Sequence, residues 1–170
     1  MHPIVIETGA LLDAATLDVS ADAGARRSVP GKWTIAEIVE HLALAYAGTA
    51  KGLTRVVAAG APMASPVTWR SRAGRLLIVS LGYFPEGRQA PAHVTPSGIG
   101  LAEALERAHA GLAAVDAMYD EAAARFGARR PILDHPIIGA FSVDDWRRFH
   151  RVHTRHHVKQ IRTRLGSGAR

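Results

Sequence analysis

The chain contains no cysteine. That absence excludes disulfides, thiolate metal sites and a cysteine nucleophile. Any metal must be held by histidine, carboxylate or water. Aromatic residues are scarce, at 6%, and no run approaches the roughly 20 apolar residues that cross a bilayer. The opening stretch, MHPIVIETGALL, has no basic segment followed by an apolar one. No signal peptide is therefore expected, and a cytoplasmic location is the default. There is no G-x-S-x-G elbow, no P-loop and no G-x-G-x-x-G after a strand. The long segments lack β-branched runs and are rich in alanine, which favours helix.

What is present is enough for one folded domain over residues 1–170. Hydrophobic residues make up 48% of the 170, which suits a globular core and not a disordered chain. The formal charge is +6. Its excess lies near the C-terminus, where Arg147, Arg148, Arg151, Arg155, Lys159, Arg162, Arg164 and Arg170 face only Asp144 and Asp145. Basic charge suggests an anionic partner. No aromatic-interleaved platform or helix-turn-helix signature accompanies it, so nucleic acid is the weakest reading.

Residues 7–24 carry Leu11, Leu12, Ala15 and Leu17 in a partly helical pattern that predicts a first helix, and Arg26–Gly31 reads as a loop. Thr34 and Glu37 then form a capping box, in which the hydroxyl takes an orphan N–H and the carboxylate reaches back. Ile35, Ile38, Val39, Leu42, Ala45 and Tyr46 recur at helical spacing, predicting a helix from Ile35 to about Ala59. His41 falls beside that apolar stripe. A turn region spans Gly60–Pro66, a short helix Thr68–Leu81, and a long loop Gly82–Gly100. Loops of that length in compact domains are often functional. Leu101–Phe126 is the longest clear helix, and Gly127–Phe141 reads as loop. The last helix is predicted from about Val143 to Leu165, stopped by Gly166. No repeat and no strand alternation stand out. The pattern predicts an all-α, up-down four-helix bundle with an additional short helix and long loops.

Phe149–Ile161, FHRVHTRHHVKQI, holds four of the nine histidines and no proline or glycine. His153 and His157 stand one turn apart on one helical face, the spacing at which two imidazoles reach one ion. In a bundle, metal sites form from inward-facing side chains of neighbouring helices. His41 could join His153 and His157 there, and three histidine ligands leave a position for water or substrate. His156 is an alternative ligand or an outward residue. His150 belongs to the pocket mouth or, more simply, to the surface. Glu37 could orient an imidazole or act as a base, although capping already explains it. Gln160 could hydrogen-bond a ligand. Trp33 and Trp146 are expected to pack helix ends.

Trp33-Thr34-x-x-Glu37-Ile38-x-x-His41-Leu42 resembles the W-[ST]-x-x-E-[IL]-x-x-H-L motif of DinB-like (YfiT-like) proteins. His135-Pro136-x-x-Gly139, Trp146 and His153-x-x-x-His157-x-x-Gln160 resemble the ending of one branch of that family. The two motifs lie about 110 residues apart, as they do there. The resemblance implies a divalent metal on His41, His153 and His157: zinc or nickel first, manganese also. It implies a homodimer acting on a small molecule, with a low-molecular-weight thiol as a candidate cosubstrate, because relatives include thiol-dependent S-transferases. Hydrolase and S-transferase chemistry are both compatible with it. The other readings are a non-catalytic scaffold that binds metal or ligand, or a nucleic-acid-associated protein.

Overall fold

The structure is a computed structural model that describes residues 1–80, 82 and 90–167. Leu81, most of the first half of the predicted long loop (residues 83–89) and Arg170 lie outside the described residues. The elements, in order, are α1 (Pro3–Thr16), α2 (Ala21–Ala25), α3 (Ile35–Ala59), α4 (Trp69–Arg75), a π-helical continuation (Leu76–Ser80) and a 3₁₀ turn (Ala92–Val94). After these come α5 (Leu101–Phe126), β1 (Pro131–His135), β2 (Gly139–Ser142) and α6 (Val143–Ser167). The fold is an all-α bundle with, among the described residues, one small hairpin. Helix α3 packs along α5, and α1 along α6.

Helix α3 starts where its residues dictate, and α3 and α5 bury the stripes that their apolar spacing marks. Thr34 caps α3 by accepting from the Glu37 N–H, while the Glu37 carboxylate accepts from the Thr34 N–H. Gly60 ends α3 in the left-handed conformation, φ 69°, which a side chain would strain. The buried stripe of α3 runs Ile35, Ile38, Val39, Leu42, Tyr46, Leu53 and Val56, and that of α5 runs Leu101, Ala104, Ala108, Leu112, Val115, Tyr119 and Ala122. Small residues bring these two helices close. A Cβ on Gly111 would sit 3.1 Å from the Tyr46 Cβ and 3.4 Å from the Ala43 carbonyl oxygen. Helices α3 and α6 run antiparallel, because residues 33, 41 and 49 of one stretch meet 164, 153 and 150 of the other.

Four sequence expectations need correcting. The first predicted helix, residues 7–24, starts earlier and breaks: α1 begins at Pro3 behind a His2 cap, and Ser20 caps a separate α2. The segment 127–141 is not all loop. It holds an antiparallel hairpin pairing Leu133 with Phe141 and His135 with Gly139. Its strands are too short to show alternation, and burial of Ile132 and Phe141 in the core fixes them instead. Gly166 does not stop α6, which continues to Ser167. His150 is not a surface residue: it is 3% exposed and its Nε2 bonds the Thr49 hydroxyl at 3.0 Å.

Candidate metal centre

His41 projects from the second turn of α3, and His153 and His157 from adjacent turns of α6. The His153 Nε2 lies 3.3 Å from the His41 Nε2 and 3.0 Å from the His157 Nε2. All three residues are buried, and their ligand atoms lie within 4.8 Å of one another. Two nitrogens held about 2.1 Å from one ion at a tetrahedral angle are about 3.4 Å apart. The His41–His153 and His153–His157 separations lie near that figure.

The ring nitrogens facing away from this point decide which form each imidazole takes. His41 Nδ1 lies 2.8 Å from the Val94 carbonyl oxygen. A carbonyl only accepts, so Nδ1 carries the proton and Nε2 presents a lone pair. His157 Nδ1 lies 2.9 Å from the Gln160 Oε1 and is protonated for the same reason. The Gln160 amide nitrogen then donates to His156 Nε2 at 3.1 Å. His156 and Gln160 thus form a relay that fixes the His157 tautomer. Two lone pairs aimed at His153 Nε2 call for a positive partner between them: either a proton on that nitrogen or a cation. Oriented outer partners of this kind are what a histidine metal site requires.

Aromatic walls hold the rings. Trp33 packs against His41 with centroids 4.9 Å apart, and Phe149 stacks on His153 at 5.2 Å and 17°. Phe149 in turn meets His135 edge-on at 4.5 Å. His135 caps the hairpin turn, its Nδ1 accepting from the Ile137 and Ile138 N–H groups, while Gly139 takes φ 93°. The His135-Pro136-x-x-Gly139 motif therefore builds the turn that seats Phe149.

Burial keeps these imidazoles neutral. It lowers His41 below the ordinary histidine range, against a smaller upward pull from the Val94 carbonyl. It lowers His157 to about 3, helped by repulsion from His41 and His156, and His153 well below its usual value. Neutral imidazole is the form that binds a metal. Outside the triad, burial lowers His135 to about 4 and His150 to about 3. Their folded values lie below the unfolded one near 6.5. Their share of stability is therefore whole above that pH and is lost as pH falls toward 4 and 3. In chelator, lowering the pH from 7 to 5 should cost about 2 kcal/mol for each of these two groups. Urea midpoints measure the loss, and ring-proton NMR should show both residues untitrated over that interval. Titration of either one near 6.5 would contradict its burial.

Glu40 is a residue that sequence reasoning missed. It is 2% exposed, and its carboxylate accepts from the Ser97 hydroxyl and from the Ser97, Gly98 and Ile99 N–H groups. Burial alone would raise its pKa, but these hydrogen bonds outweigh it and hold the group below the ordinary value. The signal was legible: a carboxylate beside the apolar stripe of α3 needs buried donors. Glu37 is engaged elsewhere, its Oε2 with the Thr34 N–H and its Oε1 with Arg27 at 2.8 Å.

The DinB superfamily model matches residues 6–161, which includes all three histidines. The chain belongs to the DinB superfamily. Comparison with curated proteins and with solved structures gave no match. In this DinB-superfamily chain the two distant motifs meet in one histidine cluster that could hold a metal ion. Among the described residues no helix is long and apolar enough to cross a membrane.

Proposed function

We propose that this chain is a metal-dependent enzyme of the hydrolase or thiol S-transferase type, with His41, His153 and His157 holding one divalent ion. The observation that carries the reading is the convergence of three buried, neutral imidazoles, two of them fixed with the lone pair of Nε2 facing the third. Three nitrogen donors without a carboxylate suit zinc or nickel better than manganese, which prefers oxygen. When bound, such an ion supplies Lewis acidity that favours the deprotonated form of water or a thiol.

The residues around it have separate tasks. Gln160 and the Val94 carbonyl fix the tautomers of His157 and His41. Trp33 and Phe149 hold two of the rings and exclude water from their faces. Glu37 keeps its helix cap and ion pair, and no proton transfer is assigned to it. A cytoplasmic homodimer completes the reading, and the exposed Trp69, Leu76 and Leu77 offer an apolar face for the contact.

The test is turnover by the metal-loaded protein. Zinc- and nickel-loaded samples should consume a low-molecular-weight thiol with an electrophile, or hydrolyse a small ester or amide. Chelation should stop the reaction and added metal restore it. His157→Ala should lower the rate at least a hundredfold. Full metal loading with no reaction across both substrate classes would favour a scaffold that binds metal without turnover. The engagement of both Glu37 oxygens supports that second reading.

A further inference from the structure

Helix α3 presents two adjacent polar side chains to one loop. Glu40 and His41 leave the helix about 100° apart, and a single short segment spans both. At one end the Val94 carbonyl accepts from His41 Nδ1 at 2.8 Å. At the other, Ser97–Ile99 donate four hydrogen bonds to Glu40: the Ser97 N–H at 2.8 Å and hydroxyl at 2.6 Å to Oε1, the Gly98 N–H at 2.8 Å and Ile99 N–H at 3.2 Å to Oε2. Gly98 has φ 92°, a conformation that lets successive N–H groups converge on one anion. Only an acceptor with two oxygens satisfies all four donors.

We propose that Glu40 is a positioning residue for His41: it pins the Ser97–Ile99 backbone and thereby holds the Val94 carbonyl where it sets the His41 tautomer. The Val94 oxygen belongs to the backbone and has no side-chain substitute, so the loop must be placed from elsewhere. Glu40 places it from the same helix that carries His41. The distance between anchor and ring is thus set within two consecutive residues of a rigid helix. The tautomer part of this inference stands on the geometry alone, and its effect on metal affinity rests on the proposed function.

The consequence concerns Glu40→Gln, which puts an amide NH₂ against one pair of donors. In metal-free wild type labelled with ¹⁵N-histidine, long-range ¹H–¹⁵N spectra should show His41 as a single Nδ1–H tautomer with slow exchange of that proton. In Glu40→Gln the signal should average between tautomers, and the Ser97–Ile99 amides should lose exchange protection. Ser97→Ala removes one donor and should shift the signal less, in the same direction. Val56→Ala weakens α3 away from the loop and should leave it unchanged. Zinc should bind Glu40→Gln about tenfold to a hundredfold more weakly than wild type.

A wild-type His41 protonated at Nε2 would overturn the proposal. So would a folded Glu40→Gln with the wild-type His41 signal. Should Glu40→Gln fail to fold, an unchanged signal in Ser97→Ala rejects it instead. Failure of the wild type to take up zinc would sink the metal reading, while the tautomer result would still decide this one.

Discussion

Replacing His153 by alanine should leave the protein unable to hold a divalent ion. Elemental mass spectrometry of untagged protein prepared without chelating resin should give about one ion per wild-type chain and none in the variant. His153 is the most damaging of the three substitutions because its Nε2 is the common neighbour, 3.3 Å from that of His41 and 3.0 Å from that of His157. The two remaining nitrogens belong to different helices, and neither helix alone can bring both to one ion. Stability should report the same loss. An ion at a hundred times its dissociation constant adds about 2.7 kcal/mol to a folded chain. For a chain of this size that is roughly 5–10 °C in Tm. Zinc should raise the wild-type midpoint by that amount and the His153→Ala midpoint not at all. An equal rise in both would place the ion elsewhere.

The second large effect lies below the site. Tyr46→Ala should cost about 3–5 kcal/mol in metal-free protein, a large part of the 5–15 kcal/mol that holds a typical domain. Tyr46 is fully buried. Its Cβ lies 3.1 Å from where Gly111 would carry one, and its ring meets His150 edge-on at 5.0 Å. Its hydroxyl donates to Thr154 Oγ1 at 2.6 Å, because the Thr154 hydroxyl already donates to the His150 carbonyl. One side chain thus joins α3, α5 and α6. Tyr46→Phe keeps the ring and loses only the hydrogen bond, at about 1 kcal/mol. Urea unfolding of both variants separates packing from polarity. A cost below about 1 kcal/mol for the alanine variant would mean that the three helices are not joined there.

The parts legible in the sequence were those with a local period or a local cap. The start and end of α3 were readable because Thr34, Glu37 and Gly60 act within a few residues of their own position. The pairing of His153 with His157 was readable because a helix repeats every turn. Their meeting with His41 depends on how α3 and α6 cross, which no local pattern states, and there the family motif supplied what spacing could not. The hairpin was missed because two short strands are held by Phe141 and Ile132 entering the core, a tertiary cause. His150 was misjudged for a related reason. In a helix rich in arginine it looked solvated, yet Thr49 and Tyr46 on a distant segment enclose it.

The convergence of His41 and His153 also has a topological side. The two residues are 112 positions apart in a chain that has no cysteine. Whatever bridges their imidazoles closes the intervening chain into a ring joining α3 to the C-terminal helix. A closed ring has fewer ways to unfold than an open chain, which is the entropic argument made for disulfides. Here the cross-link would be reversible under reducing conditions, opened by a chelator where a disulfide is opened by a thiol.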